Sequence, residues 1–342
     1  MNRVMAALAT FVYLYADESR FDKDGDAHVN VMFRESFKYY KSRNSSPDLR
    51  DVIDLNDPNC DTVICTSIKR DLLNEHCEHE FGLMPVKEWK VYEFLDIPGL
   101  IFVKNPFTTD GQRYWIIKCL KDYSAKPYKL NLDAHHLLTN DETWWDLCFG
   151  NSDKDMVLLP KLRWATLGYH HNWDTKLYSE MNKTQIPDEL SSLTSFLAKV
   201  LGFMDFKAEA AIINYYRMNS TLAGHTDHSE VNIKAPLFSI SFGQTAIFLI
   251  GGFTKDDAAK AIFLRSGDII VMSGESRLRY HGVPKILTDT AEPWNDKELI
   301  NNGKRYCKWD YNNWNKAKMY ISEARINMNV RQVLKPGQTD LL

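Results

Sequence analysis

Two hydrophobic periods divide this chain. Up to about residue 206, apolar positions recur at helical spacing or in isolated runs; beyond Lys207 they alternate at period two. In "MFRESFKYYKSR" (32–43), Phe33, Phe37, Tyr39 and Tyr40 predict a short helix. "SSPDLRDVIDLNDPNCDT" (45–62) reads as extended loop, and "GLIFVKNPF" (99–107) as a buried strand stopped at Pro106. "TTDGQRYWIIKCLKDYS" (108–124) turns helical, with Trp115, Ile116, Cys119, Leu120 and Tyr123 on one face. "IPDELSSLTSFLAKVLG" (186–202) is a further helix, opened by Pro187 and Asp188 and closed by Gly202. After it, "AEAAIINYYR", "PLFSISFGQTAIFLIGG", "AIFLRSGDIIVMSG" and "EARINMNVRQV" all read as strands between Gly, Asp and Ser turns. Helices first and short strands afterwards predict an α+β chain with a β-sandwich or jelly-roll core over 207–335, preceded by a helical and mixed extension over 31–206.

The first thirty residues stand apart. "VMAALATFVYLYA" (4–16) follows Arg3 and runs into Asp17 and Glu18. It is too short for a membrane helix, and fits either a helix packed on the domain or a targeting segment. The polar stretch 17–30 reads as a linker. With 342 residues and 44% hydrophobic content the chain can bury a large core. A net charge of −3 neither announces nor excludes a nucleic-acid partner, because local patches decide that. The six cysteines form no CxxC pair, so they read as reduced thiols of an intracellular protein.

The chemistry starts at "STLAGHTDHSE" (220–230). His225 and Asp227 are i and i+2 in an extended segment, so both project to one side and could grip one metal ion. That spacing is common by chance and needs a third ligand. "SRLRYHGVPKI" supplies His281, just after a predicted strand. Two histidines and one carboxylate with open positions make the facial triad of non-haem Fe(II) oxygenases. Such an iron needs an electron source, usually 2-oxoglutarate, whose two carboxylates call for a buried cation. "ARINMNVRQV" places Arg325, Asn327, Asn329 and Arg331 on one strand face, against Ile326, Met328 and Val330 on the other. Arginines inside a barrel are costly unless an anion neutralises them; the bland alternative is a solvated strand face. Asn214 and Tyr216 share a face in the same way and can hydrogen-bond carboxylate oxygens.

Three ordered motifs carry a resemblance: "NYY" before "HTD", then "GESRLRYHG" (274–282), then "RINMNVRQ" (325–332). The chain resembles the AlkB family of Fe(II)- and 2-oxoglutarate-dependent dioxygenases. "LRWATLGYHHNWD" (162–174), "FKAEAAIINYYRMNSTLAGHTDHSE" (206–230) and "SISFGQTAIFLIGG" (239–252) bring it closest to the homologue 1 branch of that family. The resemblance runs over about 32–335 and implies a double-stranded β-helix. It implies Fe(II) held by His225, Asp227 and His281, and 2-oxoglutarate anchored at its far carboxylate by Arg325. It also implies a polar shell of Asn214, Tyr216, Asn327 and Arg331, with O2 as the co-reactant. Substrate-facing residues would be Trp164, Tyr169, His171 and Arg277, within a nucleotide-recognition region before 207. The sequence departs from the pattern at His171, where the family often has tyrosine, and at Ser229, where the bacterial enzyme is acidic.

The implied reaction is oxidative demethylation of a nucleobase, releasing formaldehyde, succinate and CO2. The implied substrates are tRNA (1-methyladenosine, and oxidation of 5-methylcytosine) and N6-methyladenine in DNA. A duplex base must be flipped to reach such an iron. A protein lysine is the rival substrate, abasic-site DNA lyase activity a rival reaction, and an idle binding module the third alternative. The expectation is a monomer acting inside the cell, in nucleus, cytoplasm or mitochondrion, without a membrane partner. Two basic stretches, 112–130 and 303–318, could meet a nucleic-acid backbone; the first reads as a solvated helix face and the second as a substrate-contacting loop. "HCEHE" (76–80) reads as a charged helix end and not as a zinc site.

Overall fold

The structure, a computed structural model, describes residues 32–57, 63–66, 78–150, 157–289, 291–295 and 307–341. The leader and linker of 1–30, His76 and Cys77, and the Lys304–Arg305 pair therefore lie outside the described residues. In chain order the elements are α1 (Met32–Lys41), β1 (Val63–Thr66), β2 (Lys90–Phe94), β3 (Leu100–Lys104), α2 (Thr109–Ile117), β4 (Lys129–Leu130), α3 (Trp144–Phe149), β5 (Trp164–Gly168) and α4 (Asp188–Val200). Then come β6 (Ala210–Arg217), β7 (Leu222–His225), β8 (Leu237–Gly243), β9 (Thr245–Ile250), β10 (Lys260–Leu264), β11 (Ile269–Met272), β12 (His281–Leu287), α5 (Tyr311–Ile321) and β13 (Ala324–Arg331).

From β6 onward the chain crosses repeatedly between two sheets. The major sheet holds the neighbours β11-β8-β13-β6, and the minor sheet is β10-β9-β12-β7. This four-against-four winding is the expected double-stranded β-helix. The crossing from β8 to β9 shows how the sequence makes such a corner. Gly243 sits at φ +85°, and a Cβ there would lie 2.4 Å from the Ala324 carbonyl, so only glycine turns the chain here. The following Gln244 donates its amide N–H to that same carbonyl at 2.9 Å and its side-chain amide to Ser322 at 2.8 Å.

Strands from before residue 207 extend the major sheet at both ends, with β1, β2 and β3 beyond β11 and β5 and β4 beyond β6. The sheet therefore runs through both regions that the hydrophobic period separates. Period-two alternation explains the layers. Ile326, Met328 and Val330 face a core shared with Trp115 and Ile116 of α2 and Leu190, Leu193 and Leu197 of α4. Phe102, Tyr216, Ile270 and Met272 face Phe248, Ile250, Ile262 and Val283 between the sheets. On the outer side of the minor sheet, Phe33 and Tyr40 of α1 cover Ile247, Leu249 and Ala261.

The basic stretch expected as a loop over 303–318 is different where it is described. Its second half is the start of α5, capped by the Asp310 side chain accepting from the Asn313 N–H. Trp314, Ala317, Tyr320 and Ile321 recur at helical spacing and are buried. The interleaved tryptophans pack inward: Arg113 stacks between Trp309 and Trp314, 5.1 and 5.5 Å from their ring centroids. The two tryptophans there pack toward the core, while Tyr311, Asn312, Asn315 and Lys318 face solvent.

Candidate active site

The two histidines meet through sheet register. His281, the first residue of β12, pairs directly with His225, the last residue of β7. Their rings lie 4.4 Å apart between centroids. Asp227 follows two residues on, with Oδ1 3.9 Å from His225 Nε2 and Oδ2 3.6 Å from His281 Nε2. One ligand atom from each of the three residues lies within 4.8 Å of the others. Backbone groups fix the tautomers. His225 Nδ1 faces the Ala223 carbonyl at 2.9 Å, and His281 Nδ1 faces the Arg279 carbonyl at 3.1 Å. Each Nδ1–H donates outward, which leaves both Nε2 lone pairs aimed at the shared point. Burial, with His281 adding to it, pushes His225 down to about 4, so it stays neutral and able to ligate at neutral pH. Burial alone would raise the Asp227 carboxyl, but the Arg331 guanidinium and His281 outweigh it and hold the group well below the usual carboxylate range. Two imidazoles and one ionised carboxylate on one side of a site fit a ferrous ion.

Beside them a cavity opens between the sheets, lined by His225, His281, Tyr216, Asn327, Asn329 and Arg325 together with apolar side chains of β8 to β12. Arg325 is 1% exposed. Its Nη2 donates to Ser241 Oγ at 2.9 Å, and the guanidinium lies 5.2 Å from the Tyr216 ring centroid. Nε and Nη1 are buried with no hydrogen-bond partner. Burial pushes its pKa down from the ordinary value. A buried guanidinium with two idle donors is costly unless an anion completes it, and the planar fork suits a carboxylate held at two points. Asn327 is fixed by donating its amide to Ser239 Oγ at 2.9 Å and to the Ile240 carbonyl at 3.2 Å. The residues therefore fit 2-oxoglutarate as well as iron.

Other expected residues are placed differently. Arg331, expected in the cosubstrate shell, donates from Nη2 to Asp227 Oδ1 at 3.0 Å and has Nε 3.4 Å from Glu230 Oε1, while its Nη1, like that of Arg325, is buried with no hydrogen-bond partner. Asn214 pairs with Asn327 on one side and Trp164 on the other and does not line the cavity. Arg277, expected to face substrate, is 2% exposed and spends its donors internally, on Glu230, the Asp227 carbonyl and the Ala235 carbonyl. Tyr169 is likewise withdrawn. It is 1% exposed and hydrogen-bonded to Glu180, with Lys183 Nζ donating to its hydroxyl at 3.0 Å. The half-buried aromatic residues near the metal site are Trp164, His171 and Trp173. His171 meets Trp173 at 4.7 Å, and Trp173 meets Trp164 at 5.4 Å, between ring centroids. Reading along the chain does not single out Glu230 and Tyr178. Glu230 sits in a polar run that looks like solvated turn, and only its burial separates it from one.

The chain matches the 2OG-Fe(II) oxygenase superfamily over residues 99–331. It is 39% identical to the mouse "Nucleic acid dioxygenase ALKBH1" over 99% of this chain and 90% of that protein. It is 31% identical to the fission yeast (Schizosaccharomyces pombe) "tRNA demethylase abh1" over 90% of this chain and 98% of that protein. It is 38% identical to the Arabidopsis thaliana "DNA N(6)-methyladenine demethylase ALKBH1A" over 69% of this chain and 75% of that protein.

Proposed function

The chain belongs to the 2OG-Fe(II) oxygenase superfamily and, within it, to the AlkB family and its ALKBH1 branch, and from that premise we propose that it oxidatively demethylates bases in nucleic acid. It is a 2-oxoglutarate-dependent dioxygenase. The observation that carries the reading is the buried Arg325 guanidinium, with Nε and Nη1 unpartnered, opening on the same cavity as His225 and His281. His225, Asp227 and His281 would hold Fe(II), while Arg325, Tyr216 and Asn327 would hold 2-oxoglutarate. When bound, the iron and its cosubstrate supply the oxidising chemistry for a methyl group: base–N–CH3, O2 and 2-oxoglutarate give base–N–H, formaldehyde, succinate and CO2.

The protein's own part is placement. The apolar wall of Leu222, Phe248, Val283 and Met272 keeps bulk water from the far end of the cavity. Trp164, His171 and Trp173 offer ring faces and edges on which an unstacked base can rest, in the way single strands are held generally. Burial, with Arg331 adding to it, pushes His171 down to about 4, so it meets the base as a neutral ring. The branch relatives bear names for tRNA and DNA substrates, and this chain is proposed to act on both classes, as a monomer inside the cell. Among the described residues no helix is long and apolar enough to cross a membrane. Residues 207–335 are read as the catalytic core and the region before it as the carrier of base recognition.

The test is mass spectrometry of nucleosides from tRNA and genomic DNA treated with the purified protein, Fe(II) and 2-oxoglutarate. Loss of 1-methyladenosine or N6-methyladenine with matching succinate is expected. Succinate formed only with histone or peptide substrates would replace the proposal with protein demethylation.

A further inference from the structure

Glu230 lies three residues past the candidate iron carboxylate and takes no part in the chemistry above. Its residue is 4% exposed, in the same buried group as Arg277 and Arg331. Oε2 accepts from Arg277 Nη2 at 2.8 Å. Oε1 accepts from the Tyr178 hydroxyl at 3.0 Å and lies 3.4 Å from Arg331 Nε. Both arginines also reach Asp227. Arg331 donates to its carboxylate at 3.0 Å, and Arg277 Nη1 donates to its carbonyl at 2.6 Å. Two buried cations thus face the buried Glu230 and the half-buried Asp227, the second of which is needed as a metal ligand. With Asp227 engaged by a metal, Glu230 is the counter-charge left for both guanidiniums. Without it, both would lean on Asp227 and draw its lone pairs away from the metal.

Tyr178 carries the same link in the other direction. It belongs to the segment between His171 and Lys183, held as a hairpin by the Asn172–Leu177 and Tyr169–Lys183 bridges. Its ring stands edge-on to His171 at 5.3 Å between centroids, and His171 leads on to Trp173 and Trp164. One end of this chain of contacts is the iron carboxylate; the other is the aromatic surface offered to a base.

We propose that Glu230 is a positioning residue that keeps Asp227 free to bind metal by balancing Arg277 and Arg331, and that through Tyr178 it sets the base-facing hairpin on the same support. The inference rests on reading His225, Asp227 and His281 as a metal centre. The experiment compares wild type, Glu230→Gln and Tyr178→Phe by thermal unfolding, by Co(II) titration without substrate, and by steady-state kinetics on a methylated oligoribonucleotide. Glu230→Gln should stay folded yet bind Co(II) more weakly by about tenfold or more, the usual scale for losing a group that supports a ligand. Tyr178→Phe should keep wild-type Co(II) affinity while KM for the oligoribonucleotide rises and kcat changes little. Wild-type Co(II) affinity in folded Glu230→Gln would overturn the role at the metal. An unchanged KM in Tyr178→Phe would overturn the link to the hairpin. Should Glu230→Gln fail to fold, Glu230→Asp keeps the charge but shortens its reach, and unchanged Co(II) affinity in it would overturn the proposal equally. Failure of wild type itself to bind Co(II) would instead remove the metal-centre reading on which the inference stands.

Discussion

Arg331 and Asp227 meet at 3.0 Å, the guanidinium reaching from β13 to the turn after β7. The same strand carries Arg325, which faces the cavity six residues earlier in register with Tyr216. One strand therefore supports both halves of the site. In the proposed site it would brace the metal-binding carboxylate at one end and offer 2-oxoglutarate its counter-charge at the other.

His225→Ala and Asp227→Ala each remove one of three converging donors. Both variants should fold, because neither side chain belongs to an apolar core cluster and Arg331 keeps Glu230 as a counter-charge when Asp227 is lost. Metal binding and turnover should fall to background. Titration with Co(II) checks the first and succinate formation the second; near-normal succinate from both variants would refute the ligand assignment.

Arg325→Lys keeps a charge but loses the two-point grip. It should raise the 2-oxoglutarate requirement strongly, and Arg325→Ala should be nearly inactive at ordinary cosubstrate levels, because breaking a buried charge pair costs about 3–5 kcal/mol. In the absence of cosubstrate the order should change. Arg325 is then buried with two idle donors, so its replacement costs the metal-free protein little stability. Wild type should gain about 2.7 kcal/mol at a hundredfold excess of 2-oxoglutarate over its Kd, and Arg325→Ala should gain almost none. Thermal unfolding with and without 2-oxoglutarate reads this directly. An equal shift in both proteins would show that the anion binds elsewhere.

Phe33 of α1 is keyed against the back of the metal-bearing strands. A Cβ at Gly224, the residue before His225, would lie 2.4 Å from its ring, and one at Gly251 would lie 2.8 Å from it. Phe33→Ala should cost about 3 kcal/mol through the cavity it leaves. Gly224→Ala should also destabilise, by forcing that ring out. The double variant should be less destabilised than the sum, because the clash is gone once the ring is removed. Urea unfolding of the four proteins completes the cycle, and strict additivity would mean that the ring does not sit there.

His170 is 2% exposed and holds Thr166 Oγ1 at 2.8 Å through Nδ1. Burial, helped by Lys129, pushes its pKa down to about 4. The unfolded chain therefore binds a proton more readily than the folded one between pH 6.5 and 4. The stability this group contributes is full above pH 6.5 and drains away as pH falls toward 4. His170→Gln should flatten that decline by about 2 kcal/mol. Urea midpoints at pH 7.5, 6 and 5 measure it; parallel declines in both proteins would assign the acid sensitivity to other groups.

Much of this architecture is written in the sequence. Strands β6, β8 to β11 and β13 are visible as short apolar or alternating runs between turn residues, and Arg325 to Arg331 show their inward face in the spacing itself; β7 and β12, which carry the two histidines, are too short or too irregular to stand out. The facial triad is visible because sheet geometry puts i and i+2 on one side. What local pattern hides is the destination of polar groups. Arg277 and Tyr169 have the chemistry of substrate contacts, and only three-dimensional packing shows their polar atoms engaged by Glu230, Glu180 and backbone carbonyls. The helix α5 was obscured for a related reason. Its interleaved lysines and tryptophans resemble a nucleic-acid surface, yet Trp314, Ala317, Tyr320 and Ile321 fall on one helical face that the core absorbs. The hairpin β2–β3 and the strand β5 join the major sheet through β11 and β6, partners distant in sequence, which no short window of residues can reveal.

The place of β13 also bears on how the molecule is made. It is the last strand in the chain, yet it lies between β8 and β6 in the middle of the major sheet, hydrogen-bonded to both. A ribosome that has released everything up to α5 has made all three proposed metal ligands but not Arg325. At that stage β8 and β6 each expose an unpaired edge. Such edges invite pairing with other chains. Late closure by one central strand makes the nascent chain dependent on prompt completion, because two inner strands wait on the same partner.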